Sequence, residues 1–263
     1  MKKIVITGAS GGLGFAACSY FANHGYKVFA LDLKPNTFDN NVTFIKTDLC
    51  DQNEINRTFN IVQAEGKIDV LLNLAGIYIM DAFSEIDETL LKKIIDVNLL
   101  AAWRINKTFL PIIKKDGKII NVTSELDGAK PLPFNGIYTM TKTALGSYAD
   151  SLSAELALLN IHAIKVRPGA FATSLIDDSF GSMNIMKSKT ILFGSQAEKF
   201  DRIMRKMSGK AHPPKLLAYK LFKIAENKHP KCCYTIKAGV LLRLYSFLPK
   251  SLGDRIIVKL LNS

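Results

Sequence analysis

Lys3-Ile4-Val5-Ile6-Thr7-Gly8-Ala9-Ser10-Gly11-Gly12-Leu13-Gly14 is the stretch that decides the fold. A short β-branched run leads through glycines into a helical stretch, Leu13 to Asn23, and then into a second apolar run, Lys27 to Asp32. That order is a βαβ unit. The alternation continues, with strands expected near Val42 to Lys46, Val70 to Leu74, Ile119 to Val122 and Ala163 to Val166. Helical patterns lie between them at Glu54 to Glu65, Glu88 to Phe109 and Tyr138 to Asn160. Parallel strands need crossovers, which are right-handed, so the pattern predicts an α/β protein with a doubly wound parallel sheet and helices on both faces. Ligands then sit at the carboxyl ends of the strands. The chain, 263 residues with 48% apolar, suits one domain spanning residues 1–263. Within it, residues 174–230 read as a substrate-binding lid insertion. A last short strand is expected at Tyr234 to Lys237, followed by a basic amphipathic tail over 240–263.

The glycines between the first strand and the first helix let the backbone turn and let a pyrophosphate approach the helix N-terminus. Gly8, Ser10, Gly12, Leu13 and Gly14 are therefore candidate cofactor contacts. Asp32 ends the second strand, where a carboxylate accepts hydrogen bonds from the adenosine ribose hydroxyls and repels a 2′-phosphate. NAD is expected, and Lys34 leaves NADP as the second choice. Tyr138 and Lys142 stand four apart near the start of a helix, so both side chains share one face. An unperturbed tyrosine, with pKa about 10, is a poor base at neutral pH, and a neighbouring ammonium favours its phenolate.

The spacing Thr7, Gly8, Gly12, Gly14 resembles the T-G-x-x-x-G-x-G motif of the short-chain dehydrogenase/reductase family. Later motifs agree in order. Asp48-Leu49 resembles the family's adenine-contacting pair, and Asn73-Leu74-Ala75-Gly76 resembles N-N-A-G, with Leu74 replacing its second asparagine. Ser124, closing Asn121-Val122-Thr123-Ser124, resembles the substrate-orienting serine; Asn98 resembles the helical asparagine of the proton relay. Pro168-Gly169-Ala170-Phe171-Ala172-Thr173 resembles P-G-x-x-x-T, whose backbone and threonine hold the nicotinamide carboxamide. The resemblance spans residues 3 to about 175 and implies a Rossmann fold. It further implies that an NAD(H)-dependent hydride transfer interconverts a secondary alcohol and a ketone. Asn98, Ser124, Tyr138 and Lys142 would be the catalytic set. Cofactor contacts would come from Asp48, Leu49, Asn73, Ala75, Gly76, Pro168, Gly169 and Thr173, with Tyr138 and Lys142 also reaching the cofactor. No metal is required.

Charge is uneven. Residues 1–180 hold 18 Lys+Arg against 19 Asp+Glu, whereas residues 181–263 hold 17 against 4. In that basic third, lysines alternate with leucines at helical spacing and form no nucleic-acid module, so nucleic acid is not an expected partner. Leu252, Ile256, Ile257, Leu260 and Leu261 are expected on one helical face, with Arg255 and Lys259 nearer the other. Such a tail covers the pocket, packs on a second subunit of a homo-oligomer, or contacts an anionic membrane. No run reaches the roughly 18 apolar residues of a membrane span. The four cysteines lack paired metal spacing, which fits a reduced cytoplasm. Leu126, Leu132, Phe134, Leu175, Phe180, Met183, Ile185 and Met186 follow the catalytic serine and Thr173, and collectively suggest a lipophilic substrate. The region from His229 onward is loosely similar to hydroxysteroid and retinol dehydrogenase-like members, which puts steroid, bile-acid or retinoid-like alcohols first. A catalytically idle dinucleotide-binding sensor or partner protein is the competing reading, and intact Tyr138, Lys142 and Ser124 count against it.

Overall fold

The computed structural model describes every residue except 39, 40, 209, 210 and 263, and the side chains of residues 207, 208, 241 and 243 also lie outside the description. Seven parallel strands form one sheet in the order β3-β2-β1-β4-β5-β6-β7. They are β1 Lys2–Thr7, β2 Tyr26–Asp32, β3 Val42–Lys46, β4 Ile68–Asn73, β5 Ile113–Val122, β6 His162–Pro168 and β7 Cys233–Ile236. The order reverses between β1 and β4, which opens a crevice at the carboxyl ends of the strands.

Both faces of the sheet are covered, and that is why the central strands read as continuous apolar runs. One face, with Ile4, Ile6, Val28, Leu72, Ile120 and Val166, packs against helices α1 (Gly12–Ala22) and α8 (Pro214–Glu226). The other, with Val5, Phe29, Leu71, Ile119 and Ala163, packs against α2 (Gln52–Ala64), α4 (Ala101–Phe109) and α5 (Gly136–Ala157). Adjacent residues of a strand alternate between the two cores, as the period of two requires.

The helix expected from Glu88 to Phe109 is not uniform. It comprises α3 (Glu88–Ile95), a π-helical turn at Asp96–Leu100, and α4. The wide turn has a local cause in Asn98, whose buried side chain is tied by both its amide groups to the backbone of Ile77. Strand β5 starts six residues before its apolar stretch: Lys114, Lys115 and Asp116 carry the chain, with Asp116 at φ 61°, before the regular pairing at Lys118.

After β6 come α6 (Ser174–Lys189), α7 (Gly194–Ser208), α8, β7, α9 (Val240–Phe247) and α10 (Lys250–Asn262). Of the 174–230 segment read as a lid, α8 belongs to the sheet core, because Leu217, Leu221 and Ile224 insert beside Phe21 of α1. Helices α6 and α7 form a separate apolar cluster with Met80, Ala82 and Phe134. Glu85 anchors that unit by accepting from the Thr190 hydroxyl and the N–H groups of Ile191 and Leu192.

The tail does not keep its apolar residues on one face. In α10, Gly253 and Leu261 are buried and Ile257 is partly buried, with Ile257 and Leu261 packing on the α6–α7 cluster. Leu252, Ile256 and Leu260 remain exposed beside Arg255 and Lys259. Successive helical residues are turned by about 100°, so Ile256 and Ile257 cannot share a narrow contact stripe. Leu241 of the expected tail lies among the side chains outside the description.

Candidate active site

The crevice at the switch point holds a cleft of about 1140 Å³, near the upper end of small-molecule sites. Its floor is the glycine loop. Gly8 adopts φ +67°, and a Cβ there would lie 2.7 Å from the backbone of Ala75. A side chain at Gly14 would collide with the Gly8 carbonyl, so the loop closes this tightly only with glycine at both positions. The first turn of α1 bears no acidic side chain, which leaves its N–H groups facing the cleft as an anion cradle. Thr7 holds the opposite wall, its hydroxyl accepting from the N–H groups of Leu74 (3.2 Å) and Ala75 (3.3 Å). Leu74 packs partly against the sheet core, so its departure from asparagine leaves this backbone arrangement intact.

Ser10, Gly12, Leu13, Asp32, Asp48, Leu49, Ala75, Gly76 and Thr173 line the cleft together with Gly8 and Gly14. Asp32 stands at the end of β2, its carboxylate accepting from the N–H groups of Ser10 (2.9 Å) and Leu33 (2.7 Å). The Ser10 hydroxyl donates to the Lys34 carbonyl at 2.5 Å. These groups fit a dinucleotide: tight glycines and free N–H groups for phosphates, and a fixed carboxylate at the far end for a ribose.

Five expected contacts are not on that wall: Tyr138 and Lys142 belong to the cluster behind Gly76, and the other three lie at strand ends. Asn73 is buried and donates to Asn106 (2.7 Å) and Asn121 (3.0 Å), so its side chain joins β4, α4 and β5 beneath the loop. Gly169 packs against the backbone of Lys237 and Ala238, where a side chain would collide. Pro168 is buried and its carbonyl accepts from the Glu125 N–H at 2.8 Å. All three shape the site from behind, because the strand ends they occupy must be joined to their neighbours before the loops can diverge.

The chemical residues converge. Tyr138 and Lys142, one helical turn apart on α5, are 6% and 4% exposed, and the Lys142 ammonium lies 5.8 Å from the centroid of the Tyr138 ring. Ser124, in the loop after β5, is buried and hydrogen-bonded to Tyr138. Asn98 is buried as well; its Oδ1 and the Lys142 Nζ would each lie 3.2 Å from a Cβ placed on Gly76, so both flank that glycine. The Asn98 amide also donates to Thr141 at 3.0 Å. Burial pushes the Tyr138 phenol up to about 12, against the pull of the Ser124 hydrogen bond and with a further push from the charge of Glu125. Burial lowers Lys142 to about 8. At neutral pH the tyrosine therefore carries its proton and the lysine its charge, so the pair presents a proton donor beside a cation.

Two residues of this centre were not singled out from the sequence. The Tyr78 ring stacks on Tyr138, and Glu125 follows Ser124 directly. The only signal for either was position, two residues beyond Gly76 and one beyond Ser124. Among the substrate-side candidates, Leu126 and Phe134 are buried, and Met183 and Met186 are fully buried within the lid cluster. Leu175 lines the cofactor cleft instead, and Ile185 is 64% exposed on the surface.

Residues 2–183 match the family model described as short chain dehydrogenase. The chain is 28% identical over 258 residues to a 3-ketodihydrosphingosine reductase of Bacteroides thetaiotaomicron, covering 94% of this chain and 91% of that one. It is 30% identical over 262 residues to a probable short-chain type dehydrogenase/reductase of Helicobacter pylori, covering 95% and 94%. The fold superposes on a 3-ketoacyl-(acyl-carrier-protein) reductase of Brucella melitensis complexed with NADH, with a TM-score of 0.74, 18% identity and coverage of 91% and 97%. A family match over most of the chain, on a switch-point cleft that ends at a buried Ser-Tyr-Lys cluster, makes this protein an oxidoreductase of the short-chain dehydrogenase/reductase family.

Proposed function

We propose that the enzyme uses NADH to reduce a ketone on a lipophilic substrate, with Tyr138 delivering the proton. The observation that carries this reading is the buried Tyr138 beside Lys142 and the buried Ser124, with the Lys142 ammonium flanking Gly76 of the dinucleotide-sized cleft. The dinucleotide supplies the hydride. Ser124 and Tyr138 bind the substrate oxygen, and Tyr138 transfers its proton as negative charge develops there. Lys142 holds the nicotinamide ribose and keeps positive charge beside the tyrosine. Asn98, bonded to Ile77 and Thr141, fixes the helix from which proton resupply reaches the lysine. Asp32 favours NADH over NADPH by repelling a 2′-phosphate. The relative named as a 3-ketodihydrosphingosine reductase supports the reductive direction and a ketone substrate.

NADH oxidation against a panel of ketones, with a parallel NADH-binding titration, tests the reading. Tight NADH binding with no ketone reduced would leave the idle dinucleotide-binding sensor as the description.

We further propose that the enzyme works at an anionic bilayer surface. Val240, Leu244 and Phe247 of α9 are 71%, 60% and 83% exposed, and the outer ridge of α10 adds Leu252, Ile256 and Leu260 next to Arg255 and Lys259. Among the described residues no helix is long and apolar enough to cross a membrane.

A further inference from the structure

Strand β6 departs from its own apolar pattern. Ala163 lies on the sheet face that α5 covers, and the next two residues on that face are Lys165 and Arg167. Lys165 is buried, and a buried ammonium is costly unless it is paired. Its partners are Asp150 of α5, at 2.6 Å, and Asp127 of the turn that follows Ser124, at 3.6 Å. Asp127 is buried as well and pairs with Arg167 at 2.8 Å. A charge cluster therefore stands where core side chains would otherwise pack, directly beside the turn that carries Ser124.

Asp127 joins that turn to both neighbouring elements. Its carboxylate accepts from the Thr123 hydroxyl at 3.3 Å, and its own N–H donates to the Ser124 carbonyl at 3.0 Å. Within the turn the Leu126 N–H donates to the Ser124 hydroxyl oxygen at 3.2 Å, which orients that hydroxyl and leaves its proton free to be donated. On the helix side the Asp127 carboxylate lies against bare backbone. A Cβ on Gly146 would stand 2.2 Å from an Asp127 oxygen, so only glycine admits the carboxylate there. Lys165 also donates to the Gly146 carbonyl, at 3.4 Å. Gly146 is two helical turns beyond Tyr138, on the side of α5 that carries Lys142, so the clamp grips the same helix that presents the proton donor.

We infer that Asp127 is a positioning residue for Ser124. Its carboxylate clamps the turn between Lys165 and Arg167 of β6 and the backbone of α5 at Gly146, and so sets where the Ser124 hydroxyl stands relative to Tyr138. This rests on the reading above that Ser124 and Tyr138 bind the substrate oxygen. The clamp acts only through the serine, because Asp127 does not line the cofactor cleft.

The test has a hydrogen-exchange arm and a kinetic arm, both on the full chain with NADH. Asp127→Asn keeps the side-chain shape and removes the charge that holds Lys165 and Arg167. The amides of residues 126 and 127, which bond to Ser124, should then exchange at least about tenfold faster, while those of β5 and β6 keep their rates. With the ketone that the unmutated enzyme reduces fastest, kcat should fall at least about tenfold and the Kd for NADH should not change. In a Ser124→Ala background the same substitution should cost less than about twofold, which a merely structural role would not produce. Gly146→Ala displaces the carboxylate from the helix side and should loosen the turn likewise; added to Asp127→Ala, which leaves no carboxylate to displace, it should cost nothing more. Unchanged exchange in both Asp127→Asn and Gly146→Ala, or an Asp127→Asn loss that persists undiminished in Ser124→Ala, overturns the inference, as does a looser turn with kcat lost only in Ser124→Ala. If the turn loosens and neither Asp127→Asn nor Ser124→Ala alters kcat, or if no ketone is reduced at all, the clamp stands and the proposed role of Ser124 in ketone reduction falls.

Discussion

The ring of Tyr78 stacks against that of Tyr138, with centroids 4.1 Å apart and planes inclined by 28°. The contact joins the loop after β4 to the catalytic helix α5 and keeps water from one face of the phenol. On the mechanism proposed above, Tyr78 positions the proton donor, with stacking worth roughly 0.5–1.5 kcal/mol. Tyr78→Ala should lower kcat about tenfold and, by wetting Tyr138, move its pKa from about 12 toward the ordinary value near 10, seen as an alkaline limb shifted to lower pH. Tyr78→Phe should restore both rate and profile. A profile unchanged in Tyr78→Ala would show that the stack is only structural.

Tyr138→Phe removes one oxygen and leaves α5 and its packing in place. It should retain NADH binding and lose at least about 100-fold in kcat. Ser124→Ala should also lower kcat while sparing NADH affinity, because Ser124 bonds Tyr138 and does not line the cofactor cleft. Stopped-flow NADH oxidation with a separate fluorescence titration distinguishes the two effects. A fully active Tyr138→Phe would exclude the mechanism.

Much of this centre was legible in the sequence because its parts are local. The run Lys3 to Gly14 carries its own strand, turn and helix start, and Tyr138 with Lys142 needs only one helical turn to converge. Asn98 was legible as a residue, whereas the π turn around it was not, since that turn depends on the backbone of Ile77 meeting the Asn98 amide across two elements. Asn73 illustrates the converse. It was expected to contact the cofactor, yet a buried amide seeks other buried amides, and Asn106 and Asn121 are brought to it only by the sheet. The tail failed for a similar reason: periodicity identified an apolar helix but could not say which stripe α7 would cover.

On the same mechanism, Lys142 should set the pH dependence. Its folded pKa of about 8 lies below the ordinary 10.5 because burial disfavours the cation, so the charge is present below pH 8 and lost above it. kcat/KM for NADH reports groups of the free enzyme and should therefore fall with an apparent pKa near 8. Lys142→Ala should weaken NADH binding and flatten that limb. A limb in the unmutated enzyme with no inflection below pH 10 would contradict the assignment.

On the proposed function, cofactor choice should follow from Asp32. Asp32 accepts from Ser10 and Leu33 on separate oxygens; Asp32→Asn keeps one of these acceptors and the side-chain shape but removes the charge that would face a 2′-phosphate. The ratio of kcat/KM for NADPH to that for NADH should rise at least about tenfold. Equal values for the two cofactors in the unmutated enzyme would remove the basis of the preference.

The basic C-terminal third can be tested as a surface. Helix α10 spends one stripe, Gly253, Ile257 and Leu261, on the fold, while Leu252, Ile256 and Leu260 point outward with Arg255 and Lys259 alongside. Together with Val240, Leu244 and Phe247 of α9, these present six exposed apolar side chains among cations. Residues 181–263 carry 17 basic against 4 acidic residues, the charge that suits anionic head groups. A buried inner stripe argues against deleting the tail as a test, since deletion would uncover the α6–α7 cluster. Val240→Ser combined with Leu244→Ser alters only the outer face. The unmutated protein should co-sediment with phosphatidylserine-containing vesicles and not with neutral ones, with binding that weakens as salt screens the charge, and the double variant should bind at least about tenfold less. Full-length protein that stays in the supernatant with anionic vesicles at low salt would show that this ridge does not meet a bilayer.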